Sequence, residues 1–511
     1  MRTLQSSMPP TGAKGRLDPA CGTCRRKCRK CDRTRPNCLR CISKGLTCEG
    51  YPLSFKIYDG RATTRKRDRR AVQQHALEPA ATASIEETSP TTSTHSNDVN
   101  SQGSPPARLQ EAMRSIRNTG VDGAPVEADI EEVQHLLTYY ETTICTVLPV
   151  PTANVPNPFS EYILPLAYRD TGLLNAVLGL TACHIATRDA RPNGSMGIAA
   201  VQHRLAAIRS LSSLLLKEEC FGLSDTEEEI ALAIVLTLVL HDICDCGKSM
   251  HGAHLNGVAF LCSRIANSSR CQNPCKLFLV TALTWFDLLR GFSGAEKLAF
   301  PSDTRRFVAE TAGIALNTLV GCPPDIFSII GQTLSAGKKF WNGELNVEDF
   351  QTILDQLLPQ LRTWDPSKGP YPSDDREWTI LADAYRHAAI LRIWRFPDTW
   401  VIPCSDERIR ASVTAILDAS AAIPWHSPYF KRLLFPLFVA GADTDSPHQQ
   451  RYVSLCIDHI RESTGFTYES LYELLNKTWD DRSRSDGKLN VPWFEYTCSA
   501  HLERQHDYLF F

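Results

Sequence analysis

The stretch CGTCRRKCRKCDRTRPNCLRCISKGLTC, residues 21–48, carries seven cysteines among nine lysines and arginines. With Cys28 set aside, the other six fall into two halves of identical spacing. Cys21-x2-Cys24-x6-Cys31 is the first, and Cys38-x2-Cys41-x6-Cys48 is the second. Zinc takes four ligands in a tetrahedron and often takes thiolates. Three thiols per half are one short for two separate sites. Six thiolates hold two zinc ions if one cysteine of each half is shared. So short and polar a segment has almost no apolar core, so bound metal would supply its folding energy. The competing reading is a small disulfide knot, which belongs to secreted proteins. The opening residues, MRTLQSSMPPTGAKG, lack the apolar core of a secretory signal. A reducing compartment and a metal-bound cluster are therefore expected.

Charge sharpens this reading. Between Lys14 and Arg70 stand eighteen Lys or Arg against five acids, about +13, whereas the whole 511-residue chain has a net charge of -2. A basic head on an acidic body suits a polyanionic partner. A membrane is not expected. The best candidate span, Ile230–Leu240, is far shorter than the roughly 20 residues a spanning helix needs. It reads as a buried helix.

The stretch resembles the fungal binuclear zinc cluster of transcription regulators. The matching pieces are Cys24-Arg-Arg-Lys27, Lys30-Cys31-Asp32, Arg35-Pro36-x-Cys38-x2-Cys41 and Gly45-Leu-Thr-Cys48. The resemblance implies two Zn(II) ions held by Cys21, Cys24, Cys31, Cys38, Cys41 and Cys48, with Cys21 and Cys38 bridging. It also implies a short helix in the major groove of double-stranded DNA, reading it through Arg25, Arg26, Lys27, Arg29 and Lys30. Phosphate neutralisation by such residues supplies affinity, and bidentate contacts to guanine edges supply readout.

Cys28 occupies a base-reading position where the family usually carries Lys, Arg or His, and a thiol cannot make a charged contact to guanine. Three readings stand. Cys28 is a surface thiol and Lys27 with its neighbours reads DNA; or it is a redox or alternative-ligand site, its pKa lowered by basic neighbours; or DNA reading is lost. Just downstream, RATTRKRDRR (61–70) fits a nuclear import signal, a phosphate-contacting arm or a solvated charge run. No leucine heptads follow it, so monomer binding and homodimerisation through the body both stay open.

Four segments follow. Residues 1–20 read as a disordered tail and 21–48 as the DNA-binding module. Residues 49–127 read as a basic arm and linker, rich in Ser, Thr, Pro and Ala over 80–106 and too poor in large apolar residues to offset chain entropy. Residues 128–511 read as a large all-α body. Its apolar residues recur at helical spacing: Ile130, Val133, Leu136, Leu137, Tyr140 and Ile144, then Val201, Leu205, Ile208, Leu211 and Leu215. Ile230–Ile243 is apolar nearly all round and should be central. Trp285, Trp378, Trp394 and Trp425 are expected in the core. Stretches such as residues 136–148, 157–186, 251–261, 383–395 and 435–443 resemble the fungal-specific transcription factor domain. That likeness implies a regulatory domain meeting co-regulators or a small effector.

The body carries no Gly-rich phosphate loop, HExxH or GxSxG. His251 and His254, an i, i+3 pair, read as packing or polar surface, and Cys244, Cys246, Cys271 and Cys275 as ordinary thiols. The fold class is mainly α, and the expected function is sequence-specific transcription regulation in the nucleus, by binding and not catalysis. The alternative is a zinc-scaffolded co-regulator acting through protein contacts.

Overall fold

The computed structural model describes Thr23 and residues 38–44, 46–48, 130–153, 155–189, 194–250, 253–268, 273–396, 402–484, 493–497 and 506–508. The chain forms two compact units, Met1–Asn97 and Asp98–Phe511. The first contains one described helix, α1 (Leu39–Ser43).

The second unit is a helical body. It runs through α2 (Ile130–Tyr139), α3 (Thr171–Arg188), α4 (Ser195–Phe221), α5 (Asp225–Asp245) and α6 (Ala253–Ala266). Next come α7 (Pro274–Phe292), α8 (Ser302–Thr311), α9 (Ile314–Val320), α10 (Pro324–Trp341) and α11 (Val347–Thr363). The series ends with α12 (Arg376–Trp394), α13 (Glu407–Ala422), α14 (Leu434–Ala442), α15 (Pro447–Thr464) and α16 (Glu469–Arg484). Sequence did not signal the short antiparallel ribbon that pairs β1 (Lys248–Met250) with β2 (His506–Tyr508).

Local chemistry starts the central helices. Ser224 and Glu227 form a reciprocal capping box at α5. Asn273 caps α7, accepting from the N–H groups of Cys275 and Lys276 at 2.9 and 3.2 Å, with Pro274 at the first helical position. From Ile230 to Cys244 every residue of α5 is buried, as is all of α14. The run expected to be central is central. Trp285 on α7 joins three further helices, its ring centroid 6.5 Å from Phe327, 5.9 Å from Tyr385 and 6.1 Å from Phe435. Truncating such a buried indole to alanine costs about 3–5 kcal/mol.

Two expectations fail against the packing of the body. Val201 and Leu205 face outward, 57 % and 49 % exposed, while Ala200, His203, Ala207 and Leu211 face inward. The cause is the close seat of α4 on α3. A Cβ on Gly179 would lie 3.2 Å from the Arg204 backbone nitrogen, and one on Gly172 would collide with the Ser210 side chain. At that approach small residues fit the seam and branched ones do not. Trp425 is 44 % exposed, stacked on Phe430 and tilted against His459, so its indole covers the surface rather than filling the core. Trp285 and Trp378 are buried, and Trp394 is half-buried. Among the described residues no single helix is long and apolar enough to cross a membrane.

Buried histidines give the body a pH signature. On α3, His184 Nε2 lies 2.9 Å from the Thr464 carbonyl and Nδ1 lies 3.1 Å from the Tyr139 hydroxyl. A carbonyl only accepts, so Nε2 carries the proton, Nδ1 accepts, and the ring is neutral. Burial lowers the His184 pKa. Burial pushes His203 down to about 4, and burial with the Arg204 charge pushes His241 down to about 3. Below pH 6.5 the unfolded chain therefore binds protons that the folded chain refuses. Stability then falls as pH falls, by about 1.4 kcal/mol per pH unit for each linked proton. Urea unfolding of the full chain should show a loss of about 3 kcal/mol between roughly pH 6.5 and pH 5. A midpoint that stays constant over this range would refute the assignment.

Candidate zinc and nucleic-acid site

The described part of the first unit is built around sulfur. Cys38 stands at the N-cap of α1, and its Sγ accepts from the Cys41 N–H at 3.3 Å. Cys41 is three positions after Cys38, so one helical turn puts both sulfurs on the same side. The helix ends at once, with the Lys44 N–H on the carbonyls of Arg40 and Cys41 at 3.2 and 3.3 Å. The Leu46 N–H then bonds the Cys41 carbonyl at 2.9 Å and turns the chain back. That return brings in Cys48. The Sγ atoms of Cys38, Cys41 and Cys48 all lie within 4.8 Å of one another, the first two buried and the third half-buried. Around a tetrahedral zinc with bonds of about 2.3 Å, neighbouring sulfurs sit about 3.8 Å apart. Three convergent soft donors, one receiving a backbone N–H, fit zinc.

The two halves meet at a hydrogen bond the sequence did not announce. Thr23, only 3 % exposed and lying between Cys21 and Cys24, donates its hydroxyl to the Thr47 carbonyl at 2.8 Å. Its only trace in the sequence is a threonine directly before Cys24 and again before Cys48.

The structure thus brings together three of the six expected ligands. Cys21, Cys24 and Cys31 lie outside the described residues, as do Cys28, the basic residues Arg25, Arg26, Lys27, Arg29 and Lys30, and the arm 61–70. The repeat itself separates the halves chemically. In register, Arg25, Arg26, Arg29 and Lys30 fall opposite Ile42, Ser43, Leu46 and Thr47, and Lys27 opposite Lys44. Cys28 falls opposite Gly45, the position just past α1. By sequence the first half carries five basic residues between its cysteines and the second two, Arg40 and Lys44, while the second presents an exposed Ile42.

Elsewhere in the described residues no three His, Cys, Asp or Glu side chains converge as these do. His254 is half-buried on α6, while His251 lies outside the described residues. Cys244 and Cys275 are buried and Cys246 is half-buried, and Cys271 is likewise not described. Burial pushes the Cys275 thiol up to about 12. A thiol at that value is inert near neutrality.

Residues 19–57 match the fungal Zn(2)-Cys(6) binuclear cluster domain, and residues 135–511 match the fungal specific transcription factor domain. The chain belongs to the fungal Zn(2)-Cys(6) transcription factors. Like its family, this Zn(2)-Cys(6) factor binds two zinc ions and is a DNA-binding transcription regulator. It is similar along 95 % of its length, at 21 % identity, to the acriflavine sensitivity control protein acr-2 of Neurospora crassa, 96 % of which is covered. Two further likenesses are short. One is 49 % identity over 43 residues to the aspercryptin biosynthesis cluster-specific transcription regulator atnN of Emericella nidulans, 8 % of this chain and 7 % of that one. The other is 49 % identity over 45 residues to the transcriptional regulatory protein moc3 of Schizosaccharomyces pombe, 9 % of each chain. No solved structure matches.

Proposed function

We propose that residues 21–48 form a two-zinc module ligated by Cys21, Cys24, Cys31, Cys38, Cys41 and Cys48, with Cys21 and Cys38 each serving both ions. The convergence of the Cys38, Cys41 and Cys48 sulfurs carries this reading. The identical spacing of the first half extends it to the other three. When bound, the metal supplies folding free energy and fixes the loops. The chain's own basic residues meet the DNA. Arg25, Arg26, Lys27, Arg29 and Lys30 enter the major groove, and the asymmetry of charge between the halves supports that orientation. Residues 1–20 act as a tail, 49–127 as a basic arm and spacer, and 128–511 as the regulatory body.

In this reading the protein works in the nucleus, by binding and not by catalysis. Its body meets transcriptional co-regulators and a small effector, and it can pair as a homodimer. A pathway-specific role, such as control of a metabolic gene cluster, agrees with the name of the Emericella relative, a biosynthesis cluster-specific transcription regulator.

The test is selection of the zinc-loaded full chain against a random duplex library, beside a Cys28→Lys version. Enrichment of one motif by the natural chain is the expected result. If the two versions enrich different motifs, Cys28 sets what this regulator reads. If neither enriches any motif, the zinc-scaffolded co-regulator replaces the DNA-reading function.

A further inference from the structure

A cleft of about 330 Å³ opens where the C-terminal end of α11 and the second half of α12 meet the start of α13. That size is at the small end for organic ligands. Ile390, Ala411 and the half-buried Trp394 give it an apolar wall. Its polar side holds three arginines, and these are not equivalent. Arg386 is paired with Asp383, at 2.7 Å. Arg408 is held by both oxygens of Asp406, at 2.9 and 2.8 Å. Arg362 has no carboxylate partner among the described residues. Its guanidinium rests on the Trp394 ring, 5.4 Å from the centroid, with Arg408 also over that ring at 4.6 Å. A cation–π seat fixes a guanidinium by its face and leaves its N–H edge to donate.

A second donor lies deeper. Arg386 Nη2 is 3.1 Å from His387 Nε2. A guanidinium cannot accept, so Nε2 is the acceptor and the proton sits on Nδ1. Nδ1 then donates to Ser412 Oγ at 3.3 Å. Burial lowers the His387 pKa, which agrees with the neutral ring. Ser412 is 3 % exposed and spends its oxygen on the histidine. Among the described residues its hydroxyl hydrogen has no acceptor, and the side chain lines the cleft. One unneutralised arginine and one unspent hydroxyl beside an apolar wall ask for an anionic head on an apolar body. Glu407, also on the lining, opposes a second negative charge.

We propose that this cleft binds a small organic monocarboxylate, its carboxylate on Arg362 and Ser412 and its apolar part on Ile390, Ala411 and Trp394. The site gives the effector part of the proposed function a place and a chemistry.

Calorimetric titration of the full chain with 3-phenylpropanoate, against the neutral 3-phenylpropanamide of the same shape, tests it. The carboxylate is expected to bind about tenfold or more tightly than the amide, as a charge-assisted contact requires. Arg362→Gln should reduce it to the level of the amide, and Glu407→Gln should strengthen it. Phenyl phosphate, with its second charge, should bind more weakly than the carboxylate. Arg362 is exposed and makes no ion pair among the described residues, so its replacement leaves the fold intact. Equal affinity for acid and amide, indifference to Arg362→Gln, or no binding of any probe at millimolar concentration overturns the proposal. The titration contains no DNA, so its failure removes the cleft and leaves the DNA reading standing. A failed motif selection would do the reverse.

Discussion

A Cys38→Ser chain is expected to hold fewer than two zinc ions and to lose specific DNA binding by at least about 100-fold. The substitution is chosen for what it keeps. Cys38 caps α1 through the Cys41 N–H, and in the proposed ligand set it also holds metal. Serine is among the best capping residues, so the short helix keeps its start while the sulfur is removed. What is lost is then the metal's contribution, which for structural zinc is about 10–16 kcal/mol. In the proposed ligand set Cys38 serves both ions, so both sites should fail together. Cys28→Ser removes a neighbouring thiol outside the six and should retain both ions. Zinc content by mass spectrometry of the native protein, with far-UV spectra, reads the outcome. Two zincs and an unchanged spectrum in Cys38→Ser would end the shared-ligand assignment.

Salt should weaken DNA binding steeply. If the five basic residues 25–27, 29 and 30 and at least one from 61–70 each neutralise a phosphate, affinity falls about 10³-fold between roughly 50 and 200 mM salt. Anisotropy of a labelled duplex carrying the selected motif measures the slope. Lys27→Ala should reduce that slope by about one if Lys27 lies on a phosphate, and leave it nearly intact if Lys27 reads a base. A slope of about two or less would mean that the basic half does not lie along the backbone, and would favour a co-regulator contacting other proteins.

How much of this was legible beforehand depended on how local each feature is. The sulfur triad was legible because metal geometry writes itself into spacing, with Cys38 and Cys41 one turn apart and Cys48 brought back by a short loop. The buried helix α5 was legible because Ile230–Ile243 leaves no face for water. The outward face of α4 was misread because periodicity reports where branched residues are, not which side has room for them. The seam against Gly172 and Gly179 admits alanine, so Val201 and Leu205 turn out. Trp425 was misread because a large indole also lies well on a surface beside Phe430 and His459. The Thr23–Thr47 bond and the cleft were beyond reach. Arg362, Trp394 and Ser412 lie far apart in sequence, and each alone reads as solvated charge, core or helix polarity.

The hydrogen bond from His184 to the Thr464 carbonyl joins residues 280 positions apart. It is not alone. Lys431 reaches the Val147 and Pro149 carbonyls, and Lys297 reaches that of Thr497. Helices from the two ends of the body clasp one another, so during translation the body cannot close until its last helices have left the ribosome. Cys48 is made 449 residues before Thr497, a delay of about 20–90 s at usual elongation rates. For that interval a nascent chain exposes all six of the proposed sulfur ligands and an unfinished body. The zinc supply at the ribosome and the chaperones that shelter the helices therefore act on this protein in sequence, first the metal and then the fold.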